Sequence, residues 1–230
     1  MKKSSKRHMR AQEAENLREE YQVNEAVEIL GRMPKARFDE TVSISAHLGV
    51  DPKQSDQMVR GTVSLPNGSG KSVRVLAFTE DAQGALSGGA DFAGLQDMIE
   101  KINGGWLGFD VAVATTSAMK EVRSVARILG PRGMMPNPKT GTVTDNLAEA
   151  IGAVKAGRVE FKMDKSANVS IIVGKVSFPQ EKLSENIEAA IDVLSKLRPQ
   201  EFKGKFIRSM SLSATMSPGI KLSAKIYSKF

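Results

Sequence analysis

A chain of 230 residues with 40% hydrophobic and 26% charged residues is long enough for one or two packed cores, which excludes a disordered or fibrous protein. Cysteine is absent, so disulfide scaffolds, thiolate metal sites and thiol nucleophiles are excluded together, and a reducing cytoplasm is the expected setting. The 33 Lys and Arg against 26 Asp and Glu give a net charge of +7, which makes a polyanion the natural class of partner. No run approaches the roughly 18 apolar residues of a membrane span, and the basic first ten residues lack the apolar segment of a secretory signal, so no membrane partner is expected.

Lys2, Lys3, Lys6, Arg7 and Arg10 read as a basic tail that can lie along phosphates. Residues 11–30 carry Ala14, Leu17, Tyr21, Val23, Ala26, Val27 and Leu30 at helical spacing, with Asn24 as a cap within the run and Gly31 as the end. Residues 41–48 alternate between Val42, Ile44, Ala46, Leu48 and Thr41, Ser43, Ser45, His47, the pattern of a half-buried strand. A second strand at 61–65 stops at Pro66 and the loop Asn67, Gly68, Ser69, Gly70.

Beyond that loop the texture changes. Residues 73–78 are nearly all apolar, as suits a parallel strand covered on both faces. A helix face follows with Leu95, Met98, Ile99 and Ile102, then a buried strand at 111–114. Ser117 is placed to cap a helix that turns Val122, Val125, Ala126 and Leu129 inward. A Gly- and Pro-rich loop spans 130–141, and Asp145 or Asn146 can cap a further helix ending near Gly157.

Antiparallel texture returns with a hairpin of 158–163 and 168–176 around Asp164, Lys165, Ser166 and Ala167, then a helix over 179–197. A last strand at 206–216 sets Ser209, Ser211, Ser213 and Thr215 on one face, matching residues 41–48 in character. The fold class is therefore α+β with α/β: a discontinuous outer α+β domain with an antiparallel sheet spans 1–67 and 160–230. A Rossmann-like α/β domain with a small parallel sheet is inserted at 68–159. Both crossings contain glycine and are expected to let the insert move. Residues 160–230 hold 12 basic against 7 acidic residues, so most of the charge excess lies in the outer domain.

Candidate chemistry is sparse. Gly70, Lys71 and Ser72 end like a P-loop, but the first required glycine falls at Leu65, and the loop precedes a strand instead of a helix. Only His8 and His47 are present, so a His-rich metal site is excluded. No cofactor is expected. A nucleotide-using α/β enzyme with a basic accessory domain is the alternative to RNA binding, and a non-enzymatic RNA-binding protein is the preferred reading. With 5% aromatic residues and no stacking motif, recognition through shape, phosphate and ribose is favoured over base stacking. Rows of Ser and Thr hydroxyls suit 2′-OH and phosphate contacts, and they also suit the ordinary wet face of a sheet.

Five segments are specific: Lys35, Ala36, Arg37, Phe38, Asp39, Glu40, Thr41 and Val42; SDQMVRGTVSLP at 55–66; LGPRGMMPNPKTGTV at 129–143; GRVEFKMDK at 157–165; and TMSPG at 215–219. Together they make the chain resemble the family of bacterial large-subunit ribosomal protein one over almost its whole length. The resemblance implies an outer domain of split α+β type in a protein of the mobile stalk beside the ribosomal exit site, cytoplasmic and ribosome-bound, and monomeric when free of RNA. Its partners would be large-subunit ribosomal RNA, exit-site tRNA and its own operon mRNA, whose translation it would repress. Carried over by position, the RNA contacts fall on Lys35, Arg37, Phe38, Thr41, Asp164, Lys165, Ser170, Ser211, Ser213, Thr215, Met216, Ser217 and Gly219. Without the resemblance, Phe38 and Met216 read as packing residues. Three positions depart from the family pattern: Ser217 and Ala167 stand where Gly is usual, and Ser170 where His is common. A Cβ at Ser217 bears on close backbone approach to RNA, and Gly219 is near enough to restore freedom.

Overall fold

Val42, Ile44, Ala46 and Leu48 are buried while Thr41, Ser43, Ser45 and His47 stay partly exposed, so the alternation over 41–48 forms the strand it predicts. It is an inner strand of one sheet in a computed structural model that describes residues 6–14, 19–199, 202 and 204–223. In chain order the elements are α1 (Lys6–Ala14), α2 (Val23–Arg32), β1 (Thr41–Leu48), β2 (Arg60–Ser64), β3 (Val75–Phe78), α3 (Ala82–Ser87), β4 (Phe92–Gly94) and α4 (Gln96–Asn103). There follow β5 (Val111–Ala114), α5 (Met119–Val122), α6 (Ala126–Leu129), α7 (Leu147–Lys155), β6 (Arg158–Lys162), β7 (Asn168–Lys175), α8 (Gln180–Lys196), β8 (Ile207–Ala214) and β9 (Ile220–Leu222). The chain divides into two compact units, residues 1–70 with 159–230 and residues 71–158.

Unit 1 holds an antiparallel sheet in the order β7-β1-β8-β9 and a two-stranded ribbon of β2 and β6. Val42, Ile44, Val169, Ile171, Met210, Leu212 and Ile220 share a core with Ala26, Val27 and Leu30 of α2 and Ile187, Ala190, Ile191 and Leu194 of α8. Each large aliphatic side chain buried this way contributes roughly 1.5–3 kcal/mol. The opposite face of the sheet carries the hydroxyls. Tyr21 adds a rung beside β9, its N–H donating to the Lys221 carbonyl at 3.0 Å and its carbonyl accepting from Ser223 at the same distance.

Unit 2 is built on a parallel sheet in the order β4-β3-β5. Period two along β3 feeds two cores. Leu76 and Phe78 pack with Ile102, Val122, Val125 and Leu129, whereas Val75 and Ala77 pack with Ala85, Ala150, Ile151 and Val154. Burial on both faces is why these four residues read as a continuous apolar run.

Several expectations are corrected. The segments 158–163 and 168–176 do not form a hairpin: β6 pairs with β2 and β7 pairs with β1. The turn between them does form, with Asp164 N–H donating to the Asn168 carbonyl at 2.8 Å, but long-range pairing sets each strand's partner. Residues 6–10 of the basic tail lie in α1, and residues 1–5 lie outside those described, as do 15–18 of the expected helical run 11–30. Gln22, not Asn24, caps α2, through a reciprocal box with Glu25. Thr115 and not Ser117 accepts the first free N–H ahead of α5, from Ala118 at 3.3 Å. Asn146 caps α7 as expected. The short elements α3, β4 and β9 lack a periodic signature long enough to reveal them.

Residues 65–70 are no slack linker. Leu65 is buried, the Asn67 N–H donates to Oδ1 of the buried Asn186 at 3.0 Å, and Nδ2 of Asn186 donates to the carbonyls of Gly68 and Val173. Gly70 has φ +69° and approaches Phe178 so closely that a Cβ would lie 2.8 Å from its ring. Every polar atom of the Asn186 amide is thus spent on holding this segment to unit 1.

Candidate nucleic-acid interface

The open face of the four-stranded sheet is laid out by register. Ser45 of β1 pairs with Ser170 of β7 on one side and Ser211 of β8 on the other, and Ser211 pairs with Lys221 of β9. The neighbouring rows are Ile172, Ser43 and Ser213, and then Asn168, His47 and Ser209. Helices cover only the other face, so these hydroxyls stay accessible. Hydroxyls in rows beside a lysine can both donate to and accept from ribose, and can donate to phosphate.

At one end of this face a buried carboxylate organises two separate loops. Glu40 is 4% exposed; its Oε1 accepts the Ala36 N–H at 2.6 Å and its Oε2 accepts the Met216 N–H at 2.9 Å. Thr215 Oγ1 accepts the Thr41 N–H at 3.1 Å and donates to the Thr41 carbonyl at 3.3 Å. Lys175 Nζ donates to Thr41 Oγ1 at 2.9 Å, and the Asp39 carboxylate accepts from the Ser177 N–H and hydroxyl. The backbone at 36–41 is therefore fixed, while Phe38 and Met216 project outward at 53% and 52% exposure. At that exposure neither side chain is part of the core, which corrects the core-packing alternative for both.

Ser217 closes the same end. Its Oγ accepts the Ala214 N–H at 2.8 Å and donates to the Pro218 carbonyl at 3.0 Å. Neither Ser217 nor Gly219 has a positive φ, so the serine is unstrained and Gly219 does not supply left-handed backbone. Ala167 is different: its φ of +60° is the one positive value outside glycine among the described residues.

Asp164 sits at the far end of β1, about 23 Å away by strand rise. Its carboxylate accepts the N–H groups of Asn168 at 2.7 Å and Ser166 at 2.8 Å, as well as the Asn168 amide. The Asn168 N–H above all, then Ser166 and the Asn168 side chain, with nearby His47, hold this carboxyl below the usual range. His47 Nδ1 in turn meets Asn168 Oδ1 at 2.9 Å. Asp164 is thus a turn former, and the exposed Lys165 beside it is the group facing outward. A groove of about 490 Å³ lined by Pro52, Met58, Lys162, Met163, Asp164 and Lys165 opens next to the turn.

The expected contacts therefore form two clusters and a bridge. Phe38, Thr41, Thr215, Met216, Ser217 and Gly219 gather at one end, with Arg37 exposed next to Phe38 in the chain, and Asp164 and Lys165 lie at the other, with Ser170, Ser211 and Ser213 between; Lys35 lines a pocket with Gly31, Val176 and Phe178 instead. Glu40, Asp39, Lys175 and Met58 were not singled out by sequence. An acid flanked by a strand start reads as surface, and only the tertiary fold buries Glu40. The loop 68–72 is not a phosphate cradle, since Lys71 Nζ pairs with Asp110 at 2.7 Å and the chain enters β3.

A split α+β unit with an open, hydroxyl-lined antiparallel sheet, interrupted by a parallel α/β unit, defines a two-unit class of protein. The family model described as ribosomal protein L1p/L10e matches residues 30–218, and the chain belongs to that family. It is 49% identical over 224 residues to the large ribosomal subunit protein uL1 of Kosmotoga olearia, with 96% of this chain and 97% of the relative covered. The uL1 of Protochlamydia amoebophila is 49% identical over 204 residues, covering 88% and 86%, and that of Cutibacterium acnes is 48% identical, covering 96% of each.

Proposed function

We propose that the protein is a non-enzymatic structural component of the large ribosomal subunit that binds large-subunit ribosomal RNA through unit 1. The single observation that carries this reading is the buried Glu40, which holds Phe38 and Met216 outward beside the sheet's hydroxyl rows. Holding the backbone in advance lowers the ordering cost of binding, and two apolar side chains covered by the partner exclude water from neighbouring polar contacts. Lys35, Arg37 and Lys165 supply phosphate contacts. Ser170, Ser211, Ser213 and Thr215 supply contacts to ribose.

On this reading the protein resides in the cytoplasm on the ribosome, as part of a mobile stalk that assists release of deacylated tRNA from the exit site. It binds a similar element in its own operon mRNA and thereby represses translation. Equilibrium binding of Phe38→Ala and Met216→Ala to large-subunit RNA at elevated salt tests the core of the reading. Each is expected to lose tenfold or more in specific affinity while melting as the parent does. Folded variants that bind as tightly as the parent overturn it.

A further inference from the structure

Unit 2 holds ten basic and nine acidic residues, so by composition it offers a polyanion little. The charges are not evenly spread. Between positions 116 and 139 the bases Lys120, Arg123, Arg127, Arg132 and Lys139 stand against a single acid, Glu121. Elsewhere in the unit, Asp110 pairs with Lys71 and Arg74, and Asp91 pairs with Lys155. Among the described residues no carboxylate forms an ion pair with Lys120, Arg123, Arg127 or Arg132.

Helical geometry turns this composition into a surface. From α5 through a single 3₁₀ turn at Arg123–Val125 to α6, the chain stays helical from Met119 to Leu129. Val122, Val125 and Leu129 are fully buried in the core of the unit. Lys120, Arg123 and Arg127, at spacings of three and four, occupy the opposite side and are exposed. They form a ridge about 10 Å long at helical rise. Directly after α6 a tight turn, with Gly133 N–H to Gly130 carbonyl at 3.1 Å, presents Arg132 to solvent.

We propose that this ridge is a second RNA contact, carried by unit 2 and separate from the sheet face of unit 1, whose ligand is the phosphodiester backbone. A nucleic-acid duplex offers about one phosphate charge per 1.7 Å of axis, so a ridge of this length meets several phosphates. Three of the four bases are arginines, whose planar fork matches phosphate oxygens in pairs. The exposed positions Lys120, Glu121, Arg123, Ser124 and Arg127 include no apolar group. An acidic protein partner would need an apolar anchor, and a bilayer would need the apolar face that this segment has buried in its own core. The contact reads phosphate and not sequence, so it adds salt-sensitive affinity without specificity.

The test uses the full chain. In one variant Lys120→Gln, Arg123→Gln and Arg127→Gln are combined; in a second, Lys35→Gln and Arg37→Gln; in a third, the ridge charges are kept by Lys120→Arg, Arg123→Lys and Arg127→Lys. Binding to large-subunit RNA and to an unrelated RNA hairpin is followed against salt, with backbone footprinting of each complex. The neutral ridge variant is expected to flatten the salt dependence by about 2–3 on both RNAs, at roughly 0.7–0.9 per phosphate lost. It should also lose a set of backbone protections that the Lys35/Arg37 variant keeps. The charge-keeping variant should behave as the parent, and Trp106 fluorescence should report an intact unit 2. An unchanged slope and footprint in the folded neutral variant overturns the proposal, as does a loss confined to binding of anionic vesicles or an acidic protein. If only the Lys35/Arg37 variant binds as the parent does, the phosphate contacts assigned to Lys35 and Arg37 in unit 1 fail and the ridge stands.

Discussion

Glu40 and Met216, separated by 176 positions, are joined by a hydrogen bond of 2.9 Å from the Met216 N–H to the Glu40 carboxylate. The second oxygen of the same carboxylate holds Ala36, so one buried acid ties the backbone leading to Phe38 to that of Met216. Glu40→Ala leaves two N–H groups without their charged acceptor and is expected to destabilise unit 1 by about 2–4 kcal/mol. Glu40→Gln keeps a single acceptor oxygen and should lose about half as much. Urea denaturation followed by far-ultraviolet dichroism measures both, and equal stability of Glu40→Ala and parent contradicts the role.

Ala167 occupies left-handed backbone at φ +60°, which costs an L-residue roughly 1–2 kcal/mol. Its buried methyl recovers about 0.8 kcal/mol of that. Ala167→Gly is therefore expected to stabilise the turn at Asp164 by about 0.5 kcal/mol. Ala167→Val, β-branched and in the same conformation, should destabilise it by more than 1 kcal/mol. Thermal melting of the three proteins orders them, and a parent more stable than Ala167→Gly refutes the strain.

In unit 2 the Lys71 ammonium hydrogen-bonds Asp110 and, together with the Arg74 N–H and guanidinium, pulls its carboxyl down to about 2. A depressed folded-state value means stabilisation that is fully present above the ordinary carboxyl range near 3.8 and lost as pH falls through 2. Lys71 and Arg74 are largely exposed, so screening reduces the effect to about 1 kcal/mol. Asp110→Asn should accordingly be less stable than the parent at pH 6, and the gap should close toward pH 2. The single tryptophan, Trp106, lies in this unit against Phe92 and Phe109, so its fluorescence reports the transition directly. A gap independent of pH would rule out the pairing.

Lys165 and Thr215 separate charge from hydrogen bonding. Lys165→Ala should flatten the salt dependence of RNA binding by about 0.7–0.9 with little change in fold. Thr215→Ala removes no charge, so the slope should hold while affinity falls by about 1–3 kcal/mol. Because the Thr215 hydroxyl also bridges the N–H and carbonyl of Thr41, this variant should lose about 1 kcal/mol of stability as well. Filter binding across a salt series distinguishes the two, and a changed slope for Thr215→Ala would contradict the assignment.

Local chemistry made much of the fold legible in the sequence. The alternation of 41–48, the apolar run at 73–78, the stripe of α8 and the cap at Asn146 each depend on neighbours within a few residues, and each appears as read. Motif resemblance likewise marked Phe38, Thr215 and Met216, because residue identity and spacing are written in one dimension. Strand partnership was not legible: the turn at 164–167 looks like any hairpin, and only long-range pairing of β6 with β2 and of β7 with β1 separates the two strands. The role of Glu40 was equally hidden, since an acid before a strand carries no sign that the two N–H groups it must satisfy come from positions 36 and 216. Sequence alone determined the longer helices and strands, though not the short α3, β4 and β9, and which residues belong to the family's pattern. Tertiary structure alone decided which strands pair, which acid is buried and which acids the bases of unit 2 meet, because those depend on groups that meet only after the chain has folded.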